Sequence, residues 1–198
     1  VLMRFLLPLL LVFLIGVTPL LADSWPPPRI ETTYSANQAF RFVTEPRDIK
    51  SPLAYFEAKA AGMDLPRAVP ARGRLQRQTG TGWETVWAID LANEVAPVTA
   101  LVSDDGKRVV TFDNWHSIGI GHNVIVIYGN EGKLILSLSL DQLIPAYFID
   151  ALPRSVSSLT WQATEPRIEG DTLELAIRDV ERELKIPAFR IHISLNDG

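Results

Sequence analysis

The densest concentration of chemically capable side chains runs from Asp113 to Asn123. It holds a carboxylate, Asn114, Trp115, two of the chain's three histidines (His116 and His122) and two glycines. A transition-metal site needs imidazole nitrogens and a carboxylate converging on one point. Gly119 and Gly121 lie between the histidines, so a tight loop would bring the two rings together. The spacing matches no zinc pattern, however. A long loop whose Asp and Asn satisfy their own backbone, with Trp115 covering the end of a core, accounts for the same residues. No metal ligand is therefore assigned.

Hydrolysis would require a nucleophile bonded to a base and the base to a carboxylate. Ser103, Ser117, Ser157 and Ser158 could attack, with His116 or His122 as base and Asp113 behind it. The chain has no Gly-x-Ser-x-Gly elbow, the turn that exposes such a serine. Asp104 and Asp105 are adjacent carboxylates in a Ser-Asp-Asp-Gly turn, where hydrogen bonding to nearby backbone explains both. Trp83 and Trp87 are four apart, which on a regular strand puts both rings on one face, and they read as core. Phosphate loops, dinucleotide fingerprints and EF-hand loops are absent from the sequence. No catalytic residue and no cofactor is assigned. The expected site is a binding surface made of Asp113, Asn114, Trp115, His116 and His122.

The elements that must position this loop are strands. Periodicity after residue 31 is mostly two. Arg108 to Phe112 and Asn123 to Tyr128 flank the loop, and Lys133 to Leu140 follows across a Gly129–Gly132 turn that signals a hairpin. In that last run Leu134, Leu136, Leu138 and Leu140 are expected to face one core, with a wetter face opposite. Thr172 to Ile177 and Phe189 to Leu195 alternate in the same way, and Arg178 to Lys185 between them reads as an irregular connection. Two segments favour helix: Ser51 to Gly62, with Ser then Pro at its start and Gly at its end, and Leu143 to Leu152. The first is also compatible with a strand over Ala54–Ala58.

Self-similarity adds to this pattern. Ser35-Ala36-Asn37 before the strand at Phe40 resembles Ser103-Asp104-Asp105 before the strand at Arg108, 68 residues on. The stretch from Gly80 to Trp87 resembles that from Asn130 to Ser137, and a fainter third unit starts at Ser157. Units of roughly 40–50 residues built from short strands and Ser/Asp/Gly turns are the pattern of propeller blades. The chain has room for about three, so the expected fold is all-β: β-meander repeats, propeller-like or a partial propeller, with one or two short helices. Val102 to Gly106, Val110 to Trp115, Gly119-x-Gly121, Val124 to Tyr128 and Ser155 to Ser158 with Trp161 resemble a group of uncharacterised bacterial exported proteins with propeller-like repeats. That resemblance covers residues 31–165 and implies a β-rich exported protein, with no activity and no site attached.

Composition narrows the compartment and the partners. The chain has 198 residues, no Cys, and a formal net charge of −4. An acidic chain lacks the basic face that nucleic acid requires. The missing Cys excludes disulfides, thiolate metal sites and thiol nucleophiles together. With 47% hydrophobic and 21% charged residues the chain can bury a core. Arg4, the apolar run Phe5 to Val17, Pro19 and Ala22 read as a secretory signal peptide over residues 1–22. A membrane association is expected only through that segment, if uncleaved. Residues 23–30, with three successive prolines, read as a Pro-rich linker, leaving 31–198 as one β-repeat domain. The resulting expectation is a periplasmic or secreted module that binds an envelope protein or glycan. The alternative is an envelope hydrolase or metal-dependent enzyme centred on the loop from Asp113 to His122.

Overall fold

The computed structural model describes residues 25–49, 51–63, 69–180 and 184–196. The proposed signal peptide lies outside the described residues. So do Asp23 and Ser24 of the Pro-rich segment and residues 181–183 of the connection before the last strand.

The architecture is all-β, three antiparallel meanders stacked in chain order. The first sheet has the order β1 (Glu31–Tyr34), β2 (Phe40–Glu45), β3 (Arg72–Thr79), β4 (Gly82–Asp90). The second follows as β5 (Thr99–Val102), β6 (Val109–Phe112), β7 (Ile125–Tyr128), β8 (Leu134–Leu138). The third has three strands, β9 (Arg167–Glu169), β10 (Thr172–Ile177) and β11 (Phe189–Ser194), with β10 in the middle. At one edge of the stack β1 and β9 approach β5, so the first strands of the three sheets gather together. That is the arrangement of adjacent propeller blades, here an open arc and not a closed barrel among the described residues.

The second sheet is sandwiched. All residues of β6 and β7 are buried. Their alternate side chains go to opposite cores, because successive Cβ atoms in a strand leave opposite faces. Val109, Val126 and Tyr128 pack with Phe42, Leu75 and Trp87 of the first sheet. Val110, Phe112, Ile125 and Ile127 pack with Leu173, Leu175, Ile177 and Trp161 of the third. The two central strands of this sheet therefore have no wet face, while β8 at its edge stays partly exposed. A continuous run such as Val124 to Tyr128, rather than an alternating one, is what a strand covered on both faces requires.

Two outer strands carry β-bulges, and each overturns an expected facing. Leu75 pairs with Trp87 while Gln76 pairs with Thr85, so Val86 is an extra residue. One inserted residue switches every side chain beyond it to the other face. Trp87 is thus buried against Phe42. Trp83 lies on the opposite face, with Arg41 stacked 4.4 Å over its ring and Tyr34 edge-on at 5.8 Å. Likewise Ile127 pairs with Leu136 and Tyr128 with Leu134. Ile135 is the extra residue, and Leu134 leaves the face of Leu136 and Leu138 to stand half exposed.

Turn chemistry follows the sequence closely. Ser35 and Ser103 close their turns with the same bonds. Each serine Oγ accepts the N–H five residues on (Phe40 at 3.0 Å, Arg108 at 2.9 Å) and donates to the Oδ1 two residues on (Asn37 at 2.8 Å, Asp105 at 2.7 Å). Those Oδ1 atoms accept Ala39 N–H at 2.9 Å and Lys107 N–H at 3.0 Å. The residue that must adopt positive φ is Gln38 in one turn and Gly106 in the other. Both helices form. The first, α1 (Pro52–Ala60), is capped by Ser51, whose Oγ accepts Ala54 N–H at 3.4 Å, so the strand alternative for this segment is not adopted. The second, α2 (Ala146–Ala151), begins after Pro145 and buries Phe148. Residues 25–30 pair with no strand.

Candidate functional site

The loop between β6 and β7 spans residues 113–124. Amide side chains hold it on one side, and a short parallel bridge between Ile118 and Ser158 ties it to the segment before β9. Asn93, fully buried, donates to the Asp113 carbonyl at 2.8 Å and accepts the Thr111 hydroxyl at 2.8 Å. Asn114 accepts Glu94 N–H at 3.2 Å and donates to the His122 carbonyl at 2.7 Å. Asn123 donates to the Ala92 carbonyl at 2.8 Å and accepts the Ser137 hydroxyl at 2.6 Å. These bonds tie the loop to the connection after β4. They also fold it tightly: Asp113, His116 and Asn123 have φ of 56°, 66° and 63°. Positive φ is easy for Asp and Asn and costly for most other side chains.

The five predicted site residues separate into two groups. Asp113 turns inward. Its carboxylate accepts Gly119 N–H at 2.6 Å and the Trp161 indole N–H at 3.3 Å, and only 4% of the residue is exposed. Burial pushes its pKa up to about 7, against the two hydrogen bonds, which act to lower it. Asp113 therefore works as a latch inside the loop. Asn114, Trp115, His116 and His122 instead line a surface cleft of about 690 Å³. Its far wall is α1 and the connection after β4, through Phe56, Lys59, Ala60 and Glu94. His116 packs 4.8 Å from the Phe56 ring, and Trp115 stacks on Phe56 at 5.8 Å. Trp115 with Tyr55, Val95 and Ala96 forms a small core of its own, separate from the two inter-sheet cores.

Two of the serines considered as nucleophiles are committed to local turns. Ser103 closes the turn before β6, and Ser117 donates to the Ile120 carbonyl at 3.2 Å within the loop. Among the described residues no three His, Asp or Glu side chains cluster as a metal site. The carboxylate that does reach the cleft is Glu94. Burial works to raise its pKa, but bonds from Lys59 and Tyr55 prevail and hold it below the usual carboxylate range. Tyr55 donates to Glu94 at 2.5 Å, and burial together with that bond pushes its hydroxyl up to about 12. The cleft thus offers aromatic walls, two imidazoles, an amide and a Lys–Glu pair.

Glu94, Lys59 and Phe56 escape a sequence reading because they come from another sheet's connections. Nothing local ties them to residues 113–123. Neither the protein-family models, the curated proteins nor the solved structures compared with the chain provide a match. Fold and cleft together define a class: an all-β, propeller-like meander with a loop-built surface cleft.

Proposed function

We propose that the chain is an exported β-repeat module that binds a protein or glycan of the bacterial cell envelope in the cleft between α1 and loop 113–123. The observation that carries this reading is the cleft itself. It combines aromatic surface from Trp115, Phe56 and His116 with polar groups from Asn114, His122 and Lys59. Binding sites are concave and largely apolar, with a few polar groups fixing orientation. Strained backbone gathers at such places, and His116 at φ 66° is an instance. The matching turns at Ser35 and Ser103 support the reading of the sheets as repeated blades. Export rests on the leader features of residues 1–22. Sequencing of secreted chain should begin near Asp23, and intact Arg4 on membrane-bound protein would refute cleavage.

A hydrolase or metal enzyme on Asp113, His116 and His122 has weaker support. Such chemistry needs the carboxylate facing an imidazole, and Asp113 is bonded instead to Gly119 and Trp161. The binding reading is tested with envelope fractions and envelope oligosaccharides presented to immobilised protein. Saturable capture should drop at least tenfold in His122→Ala and Lys59→Ala, both exposed positions whose loss leaves the cores intact. Lys133→Ala serves as control. Equal capture by all four proteins would remove the cleft from consideration.

A further inference from the structure

Residues 25–28 read Trp-Pro-Pro-Pro. They are not a free spacer. The Trp115 indole N–H donates to the Pro26 carbonyl at 3.0 Å. The Trp25 indole N–H donates to Ser157 Oγ at 2.9 Å. The Trp25 ring meets Trp115 edge-on at 6.3 Å and lies 5.8 Å from His116. Two elements distant in sequence, the loop after β6 and the segment before β9, thus hold one short extended segment that pairs with no strand.

This is the chemistry by which proline-rich peptides are recognised. Proline has no N–H, so such a segment forms no internal ladder and leaves its carbonyls open to donors. It is already stiff, so little freedom is lost on docking. Aromatic rings supply the groove and an indole N–H supplies the donor. Trp115, partly shared with the cleft, provides both here.

We propose that Trp115, His116 and Ser157 form a recognition site for an extended peptide in which an aromatic residue precedes proline, and that residues 25–28 fill this site in cis. The proposal rests on loop 113–123 being a binding face, and it names the ligand as a peptide rather than a glycan. An external peptide must displace the tethered copy. A short tether holds its end at roughly millimolar effective concentration, so the intact chain binds an outside peptide poorly and release of Trp25 exposes the site.

The test uses the full chain with ¹⁵N-labelled tryptophan and a synthetic peptide of residues 23–30. Trp25→Ala should bind the peptide at least tenfold more tightly than the intact chain, with movement of the Trp115 indole resonance. Adding Trp115→Phe, which keeps a ring and removes the donor, should abolish that binding. Thermal melts establish that each variant is folded. Trp25→Leu, which keeps an apolar side chain but loses both the aromatic ring and the bond to Ser157, replaces the alanine variant if that one does not fold. A folded Trp25 variant that ignores millimolar peptide, or binds it no better than the intact chain, overturns the proposal. If an envelope oligosaccharide shifts the Trp115 indole resonance while the peptide shifts nothing, the inference falls and the cleft reading stands. If neither ligand moves any resonance of the loop, both fall.

Discussion

Replacing Asp113 by Asn should remove a pH dependence of stability that the buried carboxyl imposes. Its pKa rises from the ordinary 3.8 to about 7 on folding. Below 3.8 the group is protonated in both states and costs nothing. Between the two values the unfolded chain holds the charge and the folded chain does not, so stability falls as pH rises. Above 7 the cost is complete. At 1.36 kcal/mol per pH unit the full penalty is on the order of 4 kcal/mol. Integrating the two titrations, about 2.5 kcal/mol of it develops between pH 5 and pH 8. Urea denaturation of both proteins at those two pH values measures the difference. Carboxylates held below their usual range, such as Glu94 and Asp105, push the other way at lower pH. They are common to both proteins and cancel in the comparison. Asn retains an acceptor for Gly119 N–H and tolerates φ 56°, so the variant should fold. Stability that changes equally with pH in wild type and Asp113→Asn would refute the assignment of a buried, late-ionising latch.

Phe112 has no exposed surface and packs between the second and third sheets, so Phe112→Ala should cost about 3–5 kcal/mol in denaturant titration. The exposed Lys133→Ala should stay within about 0.5 kcal/mol. A Cβ on Gly106 would stand 2.3 Å from the Phe40 ring at φ +70°, whereas one on Gly121 at φ +78° meets nothing within 4 Å. Gly121→Ala should therefore lose only the roughly 1–2 kcal/mol of left-handed backbone strain, and Gly106→Ala clearly more by the same assay. Because Ser35 and Ser103 make the same turn bonds, Ser35→Ala and Ser103→Ala should each cost about 1–3 kcal/mol. A gap between them above about 1 kcal/mol would argue against equivalent turns.

Local interactions made part of this protein legible from its residues. The Ser-x-Asn/Asp turns, the hairpin at Gly129–Gly132, the Ser51 cap and the antiparallel pairing of β6 with β7 all depend on neighbours within a few positions or on plain strand periodicity. The all-β meander follows from these. What the sequence left open depends on partners far along the chain. A bulge is decided by the facing strand, so the separation of Trp83 from Trp87 and of Leu134 from Leu136 has no local sign. The central strands β6 and β7 are dry on both faces only because a sheet stacks on each side of them. Asp113 reads as part of the binding surface until Trp161, 48 residues on, supplies the N–H that turns its carboxylate inward. The cleft needs α1 and Glu94 for one wall and loop 113–123 for the other. Short-range turn and strand preferences are encoded residue by residue, while the facing of each side chain and the walls of a cleft come from packing between segments that chain order keeps apart.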